Sequence, residues 1–301
     1  MNSVIEAHDL TRRFGKTDAV NGLTLSVPEG SIYAFLGPNG AGKTTTIKML
    51  LNLLRPTGGS AKVLGVDSAR LGPSEFTRIG YVSENQQLPE WMTVRQLIDF
   101  CRPLYPTWNA SLSDKLLRSF ELPPDRKLKS LSRGMKMKAA LLTSLAYRPR
   151  LLVLDEPFTG LDALVRDEVI AGMLEVTEQE KWTVFISSHD IDEVERLADW
   201  VGVLNAGTVH LSESAASLQA RFRRIESVVA TGTRFPVRPP KSWLAPEITP
   251  HRISIVESEY QAGASERRLV EVFPGAEQIA ASEMTLREIF LTLARTFQIK
   301  P

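Results

Sequence analysis

Cysteine is almost missing from this sequence: Cys101 stands alone among 301 residues, so no disulfide can form within the chain, and a reducing, cytoplasmic compartment is the expected setting. Charge of one sign is missing too. Lys and Arg number 36 against 35 Asp and Glu, a formal net charge of +1 without the basic surplus that a nucleic-acid footprint needs, so no nucleic-acid partner is expected. No run reaches the roughly 18 consecutive apolar residues of a membrane-spanning helix, and the opening MNSVIEAHDL carries no signal-peptide pattern. Internal repeats and low-complexity tracts are not evident. A membrane partner is not excluded by any of this.

What is present is hydrophobic material for a sizeable core, 43% of the chain, arranged as short apolar runs alternating with helical patterns through about residue 215. Strands are expected at Ile32 to Leu36, Ile79 to Ser83, Leu151 to Asp155 and Val184 to Ser187, the last two being continuous apolar runs typical of a buried parallel sheet. Helices are expected at Lys43 to Leu54, Leu164 to Thr177 and Ile191 to Leu197. This βα alternation predicts an α/β fold with a mixed, mostly parallel sheet. A helical insertion is expected over about 88–147. The texture changes near Arg224, where FPVRPPKSWLAP is proline-rich and irregular. The runs RISIVE and RRLVEVF read as strands, and Met284 to Phe297 reads as an amphipathic helix with Leu286, Ile289, Phe290, Leu293 and Phe297 on one face. The expected division is 1–223 and a small α+β accessory module over 224–301.

Two stretches offer anion sites. GPNGAGKTTT fits G-x-x-x-x-G-K-[ST] at Gly37, Gly42, Lys43 and Thr44, after an apolar strand and at the opening of a helix. Glycines let successive amides converge on phosphates, Lys43 reaches the β- and γ-phosphates, and the Thr44 hydroxyl ligates Mg²⁺. LSRGMKMKAA places Ser132 and Gly134 at a second helix mouth, where unpaired amides and the helix dipole also favour an anion. In LLVLDEP, an apolar strand ends in two carboxylates, the position where ligands of open α/β sheets gather. Asp155 is placed to hold Mg²⁺ and Glu156 to polarise an attacking water. His189, after the strand TVFISS, reads as a γ-phosphate contact that also positions that water; the plainer alternative is a structural histidine.

The ordered set GPNGAGKTT, LSRGM, LLVLDEP, TGLD and SSHD resembles the nucleotide-binding subunit of an ATP-binding cassette transporter over about residues 3–220. The resemblance implies the P-loop NTPase fold, ATP and Mg²⁺ as ligands, and two cassettes paired head to tail, as homodimer or heterodimer, with Ser132 and Gly134 of one chain capping the ATP held by the other. It implies further nucleotide contacts from Asn39, Gly40 and Thr45, an adenine-stacking role for Phe14 in TRRFG, and a crossing loop at Asp162. A core position for Phe14 is the alternative.

Three positions depart from the family pattern. Arg133 and Met135 replace the usual second Gly and the Gln of the signature, a variant that resembles antibiotic-export and bacitracin- or acetoin-type cassettes. Glu84 stands where a Gln commonly bridges Mg²⁺ and the membrane subunit, with Gln86 and Gln87 as competing assignments. Trp91, Tyr105 and Trp108 are candidates for contact with the permease or for packing the helical insertion. The implied function is ATP hydrolysis driving a separately encoded transmembrane permease, most plausibly in export, from the inner face of the cell membrane. The alternative is an ATP-driven sensing module that acts on a membrane partner without moving a solute.

Overall fold

The computed structural model describes residues 2–180 and 182–296. The chain divides into two compact units, Met1–Ser212 and Glu213–Pro301. The sequence reading put the boundary later, after residue 223. The helix that follows the division belongs to the second unit because its last residue, Arg221, donates to the Glu213 carboxylate and, from Nη1, to the Ser258 carbonyl.

In the first unit a six-stranded sheet carries the order β10-β9-β3-β8-β7-β6: β3 (Ile32–Leu36), β6 (Ile79–Ser83), β7 (Leu151–Asp155), β8 (Thr183–Ser188), β9 (Trp200–Asn205) and β10 (Thr208–Ser214). The pairs β3 with β8, β3 with β9, β6 with β7 and β7 with β8 are parallel. Every residue of β7 and β8 is buried, which is why those segments read as unbroken apolar runs rather than alternating ones. A second, antiparallel sheet runs β2-β1-β4-β5, built from β1 (Ser3–Phe14), β2 (Thr17–Pro28), β4 (Gly58–Val63) and β5 (Val66–Asp67). The main core lies between the sheets and α1 (Lys43–Leu50), with Leu10, Val20, Leu25, Phe35, Ile47, Val153 and Phe185 all buried.

Short α2 (Pro73–Phe76) precedes β6. The expected helical insertion contains α3 (Val94–Cys101), α4 (Ala110–Ser119) and α5 (Arg133–Leu145). Each begins on a side-chain cap that satisfies an otherwise unpaired amide: Thr93 accepts from Gln96, Asn109 from Leu112, and Ser132 from Met135. α6 (Ala163–Glu180) follows β7.

Two helices are shorter than the sequence predicts. α1 ends at Leu50 rather than Leu54, with Asn52 at φ 56° breaking the helical path. The helix expected at Ile191 to Leu197 is a 3₁₀ turn over Ile191–Glu193, because Val194 leaves the helical region and the chain must enter β9, where Asp199 bonds both polar groups of the Ile32 backbone end.

The second unit holds the sheet β12-β13-β11-β14, from β11 (Arg223–Val228), β12 (Trp243–Ile248), β13 (Arg252–Glu257) and β14 (Glu277–Glu283), with α7 (Ala215–Arg221), α8 (Ala264–Val272) and α9 (Leu286–Thr296). RISIVE is the strand expected. RRLVEVF is not: it lies largely in α8. Within it Leu269 and Phe273 are buried, four apart and in step with Ser265 in the preceding turn, while Val270 is exposed, a helical period that the neighbouring valines disguised. In α9, Leu286, Ile289 and Leu293 are buried as the one-face reading requires, and Phe297 lies outside the described residues.

Candidate nucleotide site

The phosphate loop joins β3 to α1, and its geometry demands glycine at two points. A Cβ on Gly37 would stand 2.3 Å from the Leu204 carbonyl oxygen, and one on Gly42 would stand 2.4 Å from that of Ala19, with Gly42 also at φ 105°. Both neighbours are backbone and cannot swing aside. Gly40 takes φ 81° with open space around it, and Asn39 beside it is exposed. The loop therefore presents a cradle lined by main chain. Lys43 is 5% exposed; its Nζ donates to the carbonyls of Gly37 at 2.5 Å and Pro38 at 3.1 Å and pairs with Glu156 Oε1 at 2.9 Å. Thr44 is exposed and Thr45 half-buried.

The acidic pair sits at the C-terminal end of β7. Asp155 is buried, and its Oδ1 accepts the hydroxyls of Thr44 at 3.0 Å and Ser187 at 2.8 Å. Burial raises its carboxyl above the ordinary range, and those two hydrogen bonds offset the effect only in part. A compact divalent cation would supply the opposite charge, and a carboxylate beside a threonine hydroxyl is the hard-oxygen set that Mg²⁺ takes. Asp155 and Thr44 therefore fit that ion. Glu156 leaves the strand at φ 53°, an uncommon conformation for a residue other than glycine. Its Oε2 lies 2.8 Å from His189 Nδ1 and accepts from Thr159 Oγ1 at 3.1 Å. Burial pushes its carboxyl up, but the His189 and Lys43 contacts outweigh that and hold it below the usual range. Because the carboxylate is an acceptor, His189 is the donor from Nδ1.

Phe14 stands at the tip of the β1–β2 hairpin and is 47% exposed. The Arg12 guanidinium covers one ring face at 4.5 Å, so the residue is not in the core. The same hairpin packs on the phosphate loop through Ala19 and Val20 beside Gly42.

Ser132, exposed, is the N-cap of α5. Gly134 is buried one residue into that helix, where a Cβ would meet Val165 Cγ1 at 2.5 Å. Asp162 is exposed and accepts from the Val165 amide at 3.0 Å, capping the start of α6. Two of the three residues that break the family pattern face one another: Arg133 Nη2 donates to Glu84 Oε1 at 2.8 Å, while the Glu84 amide bonds the Asp155 carbonyl. Lys136 and Lys138 are paired as well, with Glu90 and Glu168.

The structure thus brings Thr44, Asp155, Glu156 and His189 together by hydrogen bonds through Ser187, with Lys43 joined by its ion pair to Glu156, and it leaves Ser132 and Gly134 on a different helix mouth. Sequence reasoning missed Ser187 and Thr159. Ser187 was legible in the string SSHD, one strand over from Asp155; Thr159 gave no signal, because its role depends on how the chain turns after Glu156.

A phosphate loop, a strand-end acidic pair and a mostly parallel open sheet define a P-loop ATPase. The comparisons narrow that class. The sequence profile of the ABC transporter family matches residues 20–159. The bacitracin transport ATP-binding protein BcrA of Bacillus licheniformis is 34% identical over 209 residues, which span 69% of this chain and 68% of that protein. The BcrA of Enterococcus faecalis is 32% identical over 74% of this chain and 73% of its own length. The sulfate/thiosulfate import ATP-binding protein CysA of Shigella flexneri is 32% identical, over 70% of this chain and 60% of its own. Among solved structures, one ATP-binding subunit of an ABC transporter superposes with a TM-score of 0.64 at 26% identity, covering 72% of this chain and 92% of that one. The chain belongs to the ABC transporter family as an ATP-binding, ATP-hydrolysing subunit.

Proposed function

We propose that this subunit powers a separately encoded transmembrane permease in export, from the cytoplasmic face of the membrane, with two cassettes closing on two ATP molecules. The observation that carries the hydrolytic reading is the Lys43–Glu156–His189 group. Lys43 rests on the carboxylate that the reaction needs as a base. Arriving phosphates draw the lysine to themselves, because they offer more charge than one carboxylate. Glu156 then loses a contact that holds its proton affinity down and becomes the stronger base, while His189 keeps it oriented. Thr44 and Asp155 would hold Mg²⁺, which would neutralise phosphate charge. Phe14 offers its uncovered face to the adenine.

Ser132 and Gly134 open a helix mouth that stands apart from this group, which supports a role towards ATP bound by a second cassette. A groove of about 380 Å³ on the first unit, bordered by Leu53, Leu88, Phe100, Cys101 and Tyr105, supports permease docking. Leu53 and Phe100 are more than half exposed, and Trp91 is 69% exposed in the preceding loop. Tyr105 instead stacks on Tyr147 at 3.8 Å between ring centroids and so shapes the groove wall. The export reading is supported by the likeness to the bacitracin transport cassettes.

Glu156→Gln tests the reading. Its ATP affinity should persist while turnover falls about 10²- to 10⁴-fold, the usual cost of losing a positioned base, and ATP should trap a dimer visible by gel filtration. Wild-type turnover in the Gln variant would remove Glu156 from the role. Pull-down of the tagged chain from detergent-solubilised membranes should recover a polytopic protein; recovery of a membrane protein with too few spans for a permease would favour the sensing alternative, and recovery of none would overturn both readings.

A further inference from the structure

Beyond His189 lies a buried acid that the mechanism above does not use. Glu193, at the end of the 3₁₀ turn, is 7% exposed, and no lysine or arginine pairs with it among the described residues. Its Oε2 lies 2.5 Å from Ser188 Oγ. The same Ser188 oxygen lies 3.0 Å from the Asp190 carbonyl and accepts the Asp190 amide at 3.0 Å. Three partners thus surround one hydroxyl that owns a single hydrogen and two lone pairs.

One arrangement serves all three partners at once. Ser188 gives its hydrogen to the Asp190 carbonyl, takes the Asp190 N–H on one lone pair, and needs a donor for the other. Glu193 is the group in place, and it donates only as a carboxylic acid. An ionised Glu193 would instead take the Ser188 hydrogen and leave the Asp190 carbonyl without it. It would also be a buried anion beside two groups of its own sign, Asp190 and Glu156, with only the Ser188 hydroxyl and His189 favouring its charge, and burial outweighs both. Burial pushes this carboxyl upward, in the same direction.

We propose that Glu193 is held as a neutral acid whose O–H donates to Ser188, so that it positions the Ser188–His189–Asp190 turn and, through His189, the base Glu156. Its role rests on the assignment of His189 and Glu156 to the ATP site, whereas its protonation state does not.

Three measurements on the full chain test both parts. Glu193→Gln keeps the shape and a neutral donor, so hydrolysis should stay within about twofold of wild type, whereas Glu193→Ala removes the donor and should lower kcat up to about 100-fold with little change in KM, the cost of a misplaced group. Infrared spectroscopy at neutral pH should show a protonated-carboxyl band in the wild type that Glu193→Gln lacks. Thermal unfolding gives the third reading. A carboxyl whose folded pKa is raised loses its contribution as pH rises from the unfolded value through the folded one, so the Tm of Glu193→Gln should climb above wild type as pH increases past the ordinary carboxyl range. Glu193→Gln as impaired as Glu193→Ala, with no such band, would overturn the proposal. A wild type without ATPase activity would instead sink the hydrolytic reading, and the infrared and unfolding results would still decide the proton. Should Glu193→Ala fail to fold, wild type and Glu193→Gln suffice for those two.

Discussion

Lys43, Asp155 and Glu156 are each held by more than one contact, which makes their substitution readable. Lys43 is buried against Glu156 and two carbonyls, and it is the cation nearest the phosphate cradle. Lys43→Ala should weaken binding of a fluorescent ATP analogue about 10- to 100-fold, matching about 1.5–3 kcal/mol for a hydrogen bond to a charged group; unchanged affinity would mean that the loop does not bind phosphate. The same variant has a signature in acid. Glu156 is held below its ordinary range, so its contribution to stability is full above the unfolded value and is lost as pH falls through the folded one. Without Lys43 the folded value rises, and the acid limb of a Tm-versus-pH series should move to higher pH. The types and spacing of Lys43, Thr44, Asp155 and Glu156 were legible in the sequence because each sits at a fixed offset within one strand-to-loop junction. The Glu84–Arg133 pair was not legible, because it joins a strand end to a helix mouth far along the chain.

At the scale of elements, the helix that carries Ser132 is seated by Gly134 against Val165 of α6. Gly134→Ala would place a methyl 2.5 Å from Val165 Cγ1, and a β-branched side chain within a helix has little rotamer freedom with which to yield. The expected result is a loss of about 1–3 kcal/mol, the usual effect of overpacking, seen as a lower denaturant midpoint and recovered by adding Val165→Ala. A stable single variant would mean that α5 and α6 slide freely. The buried strands were readable because a strand covered on both faces must be apolar throughout. α8 was misread for the converse reason: in RRLVEVF the apolar residues satisfy periods of both two and four, and only packing beneath β13 and β11, through Leu269 and Phe273, selects the helix. The long β1 and β2 escaped because their sheet alternates irregularly, with repeated register shifts between paired residues.

For the whole molecule, the shared-site reading makes a prediction that no single chain can fulfil. Ser132→Arg chains and Lys43→Ala chains should each be inactive as homodimers. Mixed, they should regain hydrolysis approaching half that of wild type per heterodimer, since one of the two composite sites then keeps both an intact phosphate loop and an intact signature helix. Proven heterodimers without activity would contradict the pairing of cassettes across two sites.

The sequence alone determined where the phosphate loop and the acidic pair at the end of β7 stand, and the α/β class, because each is encoded in a short run where local geometry and composition fix the outcome. Tertiary structure decided the rest: that Lys43 rests on Glu156 and His189 on the same carboxylate, that Asp155 is steadied by Ser187 from the next strand, that Glu193 is buried with no lysine or arginine paired to it among the described residues, and that RRLVEVF is largely helical. Those contacts join residues brought together by the parallel pairing of β7 and β8, or depend on which face of a segment is covered, and both are properties of the packed molecule.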